Sequence, residues 1–586
     1  MKKIHPLIIL IVVYALALGI RVYWLSQKEG LHVDEGMTIA IACYNNFILR
    51  ENYEYGKKYT GKELKEASLV SDASLKDALS DVRNLWKDNR DAPHTNLYYS
   101  FLRLALIGLR TGDVAPIVFR GGILNLLLFT VSFIYFFLLM RLLFAGSKLL
   151  QYASTFCAFI STAAISNTLF IRPYQIQETL FIMFCYYFVL SLGWNKYFIH
   201  QKKINFGLVK PLLLTSLLTA FTLLTGYYAI IFIGLFGLYA ICQLCANKKF
   251  TEIPFYFAVL GLGILFAQIL YPKYLSGFLS YRGKETIRTI SANMQENLQS
   301  SITSAGTLLQ KHFFTYPVII VCVLCLIYIV VKLIRERKIN WLVRIIRETK
   351  QTALGQKTQS KNLYTVSAIQ KTAWYIFAAS VIFLFIVLII APYKVLRYGM
   401  PVFPFLVILP AMLISAVETK SRKIAICAML LLCGCFALNA AKASKIENIF
   451  RGKPNEYVFA QDKDTPVYVI NGAWSSWKYG NLIPYVNDEQ AYYFIDWFRY
   501  FEDFFRTGEK SAVIQLPYAE AYDSFYVVIE YIPQFPQLDD LIMEDVQTGR
   551  TIKSEFEINT GEPETWYPYF KGRKMFREEI NGRSKN

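Results

Sequence analysis

The stretch His32-Val33-Asp34-Glu35-Gly36 follows an apolar run at residues 4–24, which reads IHPLIILIVVYALALGIRVYW. About 20 apolar residues cross the roughly 30 Å of hydrocarbon in a bilayer, so this run is predicted to be a first, uncleaved span. Two adjacent carboxylates, Asp34 and Glu35, therefore lie where the span reaches water. Ionisable groups at membrane depth usually mark a functional site, but acids in a first turn also favour the helix dipole. The pair indicates either a site or a helix start.

The composition excludes an ordinary soluble protein. The chain has 586 residues, of which 54% are hydrophobic, and its mean hydropathy is +0.33; soluble domains are usually less than about half apolar. The formal net charge of +19 is typical of a membrane protein whose cytoplasmic loops are rich in Lys and Arg. We therefore expect a mainly α, polytopic membrane protein and no nucleic-acid partner.

Ten further apolar runs bring the predicted number of transmembrane helices to about eleven. They are residues 116–140, 150–167, 177–194, 208–226, 228–246, 253–271, 317–333, 372–391, 400–417 and 424–441. The run at 97–109 is too short to span and is expected to lie flat at the interface. With that choice, every loop on the side of Met1 is basic, and the positive-inside rule places the N-terminus in the cytoplasm of an inner (plasma) membrane.

The predicted transmembrane domain covers residues 1–441, and its first outer loop, 25–115, is expected to carry interfacial helices, one from Asp34 through Arg50 and one within 62–89. Residues 442–586 change in composition and are predicted to form an extracytoplasmic, soluble α/β domain. The strand-like runs there are 467–471, 512–516 and 525–531, and the helix-like runs are 489–505 and 538–546. Alternation of the two types favours an α/β arrangement.

Several polar groups fall near the outer membrane face in this topology: Asp34, Glu35, Arg172, Glu178, Lys394 and Arg397. A carboxylate can take a proton from an acceptor hydroxyl or amine, and Arg can bind phosphate bidentately. Acid and Arg together at the outer face suit transfer of a sugar from a lipid phosphate. Basic residues at an interface can also be simple anchors.

The CxxC pairs Cys242/Cys245 and Cys322/Cys325 lie inside predicted spans, where Cys behaves as a small hydrophobe rather than a zinc ligand.

Four short segments follow one another in an order seen in a known class of enzymes. Asp34-Glu35 follows the first span, and His94-Thr95-Asn96-Leu97-Tyr98-Tyr99 precedes the second. Arg172-Pro173-Tyr174 opens the fourth span, and Arg397-Tyr398-Gly399-Met400-Pro401-Val402-Phe403-Pro404 opens a late one. In these segments, residues 1–440 resemble the GT-C class of polyprenyl-phosphate-sugar-dependent glycosyltransferases, and most closely its branch of protein O-mannosyltransferases and the lipid A aminoarabinose transferase. Both prolines of that branch's His-Pro-Pro-Leu-Tyr-Tyr-like segment are replaced here, and Gly226-Tyr227-Tyr228 stands where a His-Tyr pair is common.

The resemblance implies a membrane glycosyltransferase of the cell envelope that moves a sugar from a polyprenyl-phosphate donor to a glycan, lipid or protein acceptor by inverting displacement. Asp34 would be the general base, and Glu35 would be a second catalytic residue that orients the base or the acceptor. The substrate-binding residues would be His94, Tyr98, Arg172, Tyr174, Glu178, Lys394, Arg397 and Tyr398. The acidic metal-binding motif of oligosaccharyltransferases is unmatched in the second outer turn, so we expect no obligatory divalent metal and no other cofactor.

Two other classes of protein remain open. A multi-span transporter or flippase for a lipid or solute would also have about eleven spans, although the sequence has no internal repeat and its polar groups collect at one face. A receptor-like or scaffold protein would use residues 442–586 to bind a partner. Substrate flux without sugar transfer would favour the transporter, and activity without the C-terminal domain would give that domain a separate role.

Overall fold

The protein is a multi-pass, mainly helical membrane protein with a C-terminal β-sheet region. The computed structural model describes residues 5–577 except 29, 46–53, 70–73, 92–93, 110–113, 199–205, 280–282, 293, 336–359, 392–393, 443–459, 461, 473–481, 498–512, 533–536, 548–549 and 560–567. In that part of the chain, eight helices are long and apolar enough to cross a membrane. A ninth span is present if a helix pair with a 56° bend crosses as one unit. The predicted fold class is therefore confirmed.

The helices follow in the order of the chain. They are α1 Pro6–Ser26, α2 Val33–Ala42, α3 Gly61–Ser68, α4 Leu75–Lys87, α5 Leu97–Ala105, α6 Val114–Leu143, α7 Lys148–Phe159, α8 Thr162–Leu169, α9 Tyr174–Phe198, α10 Phe206–Leu223, α11 Ala229–Ala246, α12 Ile253–Leu270, α13 Tyr274–Gly277, α14 Gly283–Ala292, α15 Met294–His312, α16 Tyr316–Arg335, α17 Ser360–Ile390, α18 Ile408–Glu418, α19 Arg422–Lys442 and α20 Gln537–Val546. Two 3₁₀ segments, Leu396–Tyr398 and Met400–Val407, lead into α18.

Each predicted span coincides with a helix or a helix pair, but the number eleven stays a prediction. Helices α7 and α8 are the bent pair. The described apolar part of α10, Lys210–Leu223, is shorter than the eight spanning helices. The segment predicted to lie flat forms α5, whose nine residues would reach only about 14 Å. Helix α2 ends at Ala42 rather than at Arg50, and residues 46–53 lie outside the described part of the chain.

Buried polar side chains inside the helical region hold the turn between α8 and α9. Arg21 of α1 is fully buried, donates from Nε to Thr168 Oγ1 at 2.9 Å and lies 3.8 Å from the centre of the Phe129 ring. Asn125 of α6 donates from Nδ2 to the carbonyl oxygens of Thr168 and Phe170 at 3.0 and 2.9 Å. Buried polar groups need such partners, and these contacts fix the backbone that leads into Arg172.

The six-stranded sheet has the order β1-β3-β2-β4-β6-β5. Its strands are β1 Lys58–Thr60, β2 Val467–Asn471, β3 Ala491–Asp496, β4 Ser524–Glu530, β5 Arg550–Asn559 and β6 Pro568–Arg577. Strands β3, β2 and β4 are parallel, and the outer pairs are antiparallel. The edge strand β1 comes from the first outer loop, so the sheet joins two parts of the chain that are more than 400 residues apart in sequence. The division at residue 441/442 stays a prediction.

Two of the C-terminal sequence predictions were wrong in type. The run 489–505 was predicted to be helical, but residues 491–496 form β3, because aromatic and β-branched side chains alternate there between the two faces of the sheet; residues 498–505 lie outside the described part of the chain. The run predicted as a strand at 512–516 has no regular structure at 513–516. The strands at 467–471 and 525–531 and the helix at 538–546 are present within a residue of their predicted bounds.

Candidate active site

Asp34 lies in the first turn of α2, which begins with a capping box. His32 is the N-cap, and its Nδ1 accepts a hydrogen bond from the backbone N–H of Asp34 at 3.0 Å. In return, the Glu35 side chain accepts from the backbone N–H of His32 at 2.7 Å. This arrangement satisfies two backbone donors that a helix start otherwise leaves open. Asp34 and Glu35 are therefore a helix start, and the cap fixes where the Asp34 carboxylate points.

Two arginines from distant parts of the chain flank the Asp34 carboxylate. Arg172 Nη2 lies 3.8 Å from Asp34 Oδ2, and Arg397 Nε lies 3.7 Å from the same oxygen. Both guanidinium groups are buried, with 4% and 8% of each residue exposed. These distances are about 1 Å longer than a close charge-assisted hydrogen bond. The carboxylate is thus held by electrostatic attraction, and both arginines have N–H groups that do not donate to it.

The charge environment keeps Asp34 ionised. Burial raises the pKa of this carboxyl, but the positive charges of Arg397 and Arg172 outweigh burial and hold its pKa well below the usual range. A carboxylate with so low a pKa is a weak proton acceptor. Asp34 can become a stronger base only when another negative charge is shared with the two arginines.

Arg172 also belongs to a second buried cluster, which is centred on Asp91. His94 Nδ1 lies 2.8 Å from Asp91 Oδ2, and the hydroxyl of Tyr99 donates to the same oxygen. Arg172 Nη1 donates to Thr38 Oγ1 at 2.8 Å, and Arg172 Nη2 lies 3.5 Å from His94 Nε2. The predicted site residues Asp34, His94, Arg172 and Arg397 therefore meet in one place.

Glu35 lies beside Asp34, but its oxygens are engaged by protein groups. Besides the His32 N–H, it accepts from the backbone N–H of Ile171 at 2.8 Å, and Lys28 Nζ lies 3.1 Å from it. Both charged side chains of the Lys28–Glu35 pair are almost fully buried. These contacts tie α1, α2 and the α8–α9 turn together. The structure therefore gives Glu35 a clear positioning role, and its predicted part in catalysis remains a prediction.

We expect the change Glu35→Gln to destabilise the fold, since it leaves Lys28 buried without its counter-charge and turns an amide N–H toward backbone donors. Breaking a buried ion pair from one side costs about 3 kcal/mol or more. A clear fall in the thermal unfolding temperature should be seen, and the double change Lys28→Met with Glu35→Gln should recover part of it. Equal unfolding temperatures for wild type and Glu35→Gln would contradict this role.

His32 is a buried neutral imidazole next to the charged cluster. Its Nε2 lies 3.4 Å from Arg397 Nη1, and only 2% of the residue is exposed. Burial, only partly offset by the charge of Asp34, lowers the pKa of His32 from 6.5 to about 3. The unfolded chain therefore binds a proton at His32 below pH 6.5, whereas the folded chain does not do so until about pH 3. The stability that this residue confers is full above pH 6.5 and is lost as the pH falls toward 3.

The variant His32→Asn should remove this pH dependence, because Asn caps helices well and does not titrate. Relative to the variant, wild type is expected to lose about 2 kcal/mol of stability between pH 8 and pH 5. Thermal unfolding at several pH values measures the difference. His5 caps the exposed start of α1 through its Nδ1, so His5→Asn is the matched control and should run parallel to wild type. A pH-independent difference between wild type and His32→Asn would refute the prediction.

Tyrosines surround a small cavity of about 20 Å³ next to the arginines. Tyr174, Tyr228 and Tyr398 line it together with His94 and Gln177. The ring of Tyr398 packs edge-on against both Tyr174 and Tyr228, with ring centres 6.4 and 5.9 Å apart. A cavity of this volume has room for about one water molecule. Two of the predicted tyrosines, Tyr174 and Tyr398, therefore lie at this cavity.

Three other predicted site residues are held elsewhere by protein contacts. The hydroxyl of Tyr98 donates to Asn125 Oδ1 at 3.0 Å. Glu178 is fully buried and accepts from Asn167 Nδ2 at 2.9 Å and from Gln175 Nε2 at 3.0 Å. Lys394 Nζ donates to the carbonyl oxygens of Leu388, Ile389 and Ala391 at the end of α17. Their substrate-binding roles remain predictions, but each has a structural partner.

Four residues that shape the site were not predicted from the sequence: His32, Thr38, Asp91 and Asn125. The signal for Asp91 was its spacing, because a carboxylate three residues before His94 can reach the imidazole across one turn. Thr38 lies one turn after Asp34 on α2 and also donates to its carbonyl oxygen at 2.7 Å. His32 and Asn125 carried no such signal.

Among the described residues, no group of three or more His, Cys, Asp or Glu side chains is arranged to hold a metal ion.

Comparison with known proteins gives matches only among solved structures. No protein-family model matches the chain, and no curated protein matches it. The crystal structure of ArnT from Cupriavidus metallidurans bound to undecaprenyl phosphate matches over 96% of this chain and 97% of that chain, with 9% sequence identity and a TM-score of 0.43. The apo structure of the same protein matches over the same shares, with 9% identity and a TM-score of 0.30. This chain is thus similar to ArnT over nearly its whole length, but only distantly.

Proposed function

We propose that the protein is a membrane glycosyltransferase that moves a sugar from a polyprenyl-phosphate donor to an acceptor hydroxyl or amine. The observation that carries the proposal is the placement of Arg172 and Arg397 on one carboxylate oxygen of Asp34, at 3.8 and 3.7 Å. Arg172 Nε is buried and has no hydrogen-bond acceptor among the described residues. A buried donor of this kind indicates that a further acceptor, such as a phosphate oxygen, belongs there.

The two arginines would hold the donor phosphate and stabilise the charge that develops on it. In the displacement, the acceptor oxygen or nitrogen forms a bond to the anomeric carbon from one side. The bond from that carbon to the phosphate oxygen breaks on the other side, and its electron pair stays on the phosphate. The leaving phosphate gains one negative charge, which the guanidinium groups offset in a site that excludes water. Attack opposite to the leaving group inverts the anomeric centre.

Asp34 would take the proton that the acceptor loses. As long as the arginines face only Asp34, their charges keep this carboxylate a weak base. The donor phosphate would share those charges, and the pKa of Asp34 would then rise toward a value useful for proton transfer. The base would therefore become effective only after the donor is bound. An acceptor would then lose its proton only when a donor is present to react with it.

The lipid chain of the donor would lie along helices α9 to α12. A groove of about 300 Å³ runs between these helices and is lined almost entirely by apolar side chains, among them Phe184, Phe188, Ile233, Leu238 and Phe255. Phe184 lies ten residues after Tyr174 on the same helix, which corresponds to about 15 Å along its axis. A chain anchored by its phosphate near Tyr174 would therefore reach the groove from the site.

The basic loops support a reaction at the outer face. The loops predicted on the side of Met1 carry the Lys and Arg excess, and the positive-inside rule favours a cytoplasmic N-terminus, with the site and the C-terminal sheet on the outer side. No nucleotide-linked sugar is normally available there, so the donor should be carried by a lipid. The acceptor would be a glycan, a lipid or a protein at that face of an inner (plasma) membrane.

The proposal can be tested with the full-length protein in lipid nanodiscs. We expect wild type, supplied with a panel of polyprenyl-phosphate-linked sugars and cell-envelope acceptors, to release free polyprenyl phosphate and form a glycoside of inverted anomeric configuration. Mass spectrometry measures the first product and NMR the second. If the protein instead carries the intact lipid-linked sugar or another solute across the bilayer without cleavage, the transporter alternative is correct.

A further inference from the structure

We propose that the C-terminal region positions the Asp34 carboxylate, with Tyr485 and Val33 as the positioning residues; the catalytic consequence rests on the function proposed above. The hydroxyl of Tyr485 accepts a hydrogen bond from the backbone N–H of Leu31 at 2.7 Å, three residues before Asp34 and 454 residues away along the chain from Tyr485. Leu31 is only 2% exposed. Its N–H therefore depends on this hydroxyl, because a buried amide is costly without a partner.

The two parts of the chain exchange side chains. Val33, which is 1% exposed, belongs to the apolar cluster of the C-terminal sheet, which also includes Val467, Val486 and Tyr492. In the opposite direction, Tyr485 packs against a second apolar cluster, which includes Leu31 and residues from the helices of the first outer loop. Each side thus contributes side chains to the other's core. Since packed interiors allow little relative movement, the backbone of residues 31–34 cannot shift without the C-terminal region.

The first outer loop adds a backbone connection of its own. Strand β1 pairs with β3, and just beyond it the N–H of Gly61 donates to the carbonyl oxygen of Gln490 at 3.1 Å. A Cβ atom on Gly61 would lie only 1.9 Å from the carbonyl oxygen of Asn487, so only glycine allows this approach. The loop and the sheet are consequently built as one unit around the start of α2.

Through Tyr485 and the cluster around Val33, the C-terminal region positions the Asp34 carboxylate and is not a separate binding module. Asp34 has to sit between two arginines to within a few tenths of an ångström, and misplacement of about 1 Å can lower a rate by a hundred-fold. The position of Asp34 is set by the cap at His32. It is also set by the backbone of Leu31 and Val33, which the C-terminal region holds in place. Tyr485 acts on the reaction through Asp34 and does not itself contact the substrates.

The variant Tyr485→Phe removes one oxygen and keeps the ring, so the fold should persist. We expect kcat to fall at least about ten-fold while the KM for the lipid-linked donor stays near wild type, because positioning of the base is needed for the chemical step and not for phosphate binding. Tyr493→Phe is the matched control. Tyr493 is also buried in the C-terminal region and has a hydroxyl contact, with Tyr522 at 2.9 Å, but it lies on the other face of the sheet. Its kcat should equal that of wild type.

Hydrogen–deuterium exchange gives a readout that does not require activity. In Tyr485→Phe, the amides of residues 30–36 should exchange at least about ten-fold faster than in wild type, while Tyr493→Phe should match wild type there. Val33→Ala, which loosens the contact from its other side, should accelerate exchange in the same segment. Unchanged exchange of residues 30–36 in Tyr485→Phe, or equal kcat in the two tyrosine variants, would overturn the inference. Faster exchange in a protein that transfers no sugar would support the positioning and instead refute the proposed function.

Discussion

Asp34→Asn is expected to lower the rate of sugar transfer by about a thousand-fold or more, since removal of a positioned general base typically costs about 10²–10⁴. The amide has nearly the shape of the carboxylate, so the fold should be retained. The donor phosphate would then have Arg172 and Arg397 to itself, because the competing carboxylate that lies 3.8 and 3.7 Å from them is gone. The KM for the donor should therefore not rise. Initial rates over a range of donor concentrations measure both quantities.

The control for this experiment is Asp523→Asn, which removes a carboxylate from the C-terminal region of the protein. Asp523 lies 3.6 Å from Arg577 and its side chain is 95% exposed, and exposed pairs of this kind contribute little. Its activity should equal that of wild type. Full transfer activity in a folded Asp34→Asn protein would show that Asp34 is not the base. A loss of activity together with a loss of donor binding would instead give Asp34 a structural role.

Arg397→Lys is the second change with a large expected effect. Lysine keeps the positive charge but lacks the planar pair of N–H groups with which arginine grips a phosphate. We expect kcat/KM for the lipid-linked donor to fall about 100-fold, as is typical when one donor to a developing oxyanion is lost. The loss should be larger in kcat than in KM, because the charge on the phosphate increases as the sugar leaves. Steady-state kinetics in nanodiscs provide the measurement.

Arg577→Lys serves as the control for Arg397→Lys. Arg577 is half exposed at the end of β6 and lies 3.6 Å from Asp523, so the same chemical change there should leave kcat/KM at the wild-type value. If Arg397→Lys also retained the wild-type kcat/KM, the donor phosphate would not lie between Arg172 and Arg397. The proposed reaction would then lose its main support.

Much of the membrane architecture could be predicted because hydrocarbon imposes a simple rule on sequence. Runs of about 20 apolar residues must form helices there, and every predicted span coincides with helical structure. The bend between α7 and α8 was not predicted, because apolarity alone carries no signal for it. Similarly, α2 stops at Ala42 although the apolar spacing continues to Ile48. The backbone leaves the helical conformation shortly after Ala42, since Tyr44 has a positive φ of 51°, and apolar spacing does not indicate such a turn.

The main charged residues of the candidate site could be predicted from the sequence, but most of the contacts between them could not. Asp34, Arg172 and Arg397 stood out because charged groups at a membrane face are costly and few. Lys394 was selected for the same reason; its side chain donates to the carbonyl groups at the end of α17, and its substrate-binding role stays a prediction. Sequence gives no indication of which basic residue caps a helix and which one faces a pocket. Contacts between residues more than a hundred positions apart, such as that of Glu35 with the Ile171 amide, also leave no signal in local patterns.

The run 489–505 shows a further limit of local patterns. Its aromatic residues fit both the spacing of a helix face and the alternation of a strand. Only partners from elsewhere in the chain decide between helix and strand. Here the decisive partners include β1, which lies in the first outer loop and pairs with β3. A prediction that treated residues 442–586 as a separate domain could not include that strand.

The pairing of Lys58–Thr60 with residues 491–493 has a consequence for biosynthesis. The ribosome makes the first partner more than 400 residues before the second, so the edge strand stays without its neighbour while the helices of residues 6–442 are being inserted. A polypeptide released by a premature stop before residue 491 would keep those helices but lack the partner of this strand. Under the function and the positioning role proposed above, such a copy would hold Asp34 poorly and would therefore consume little of the lipid-linked donor.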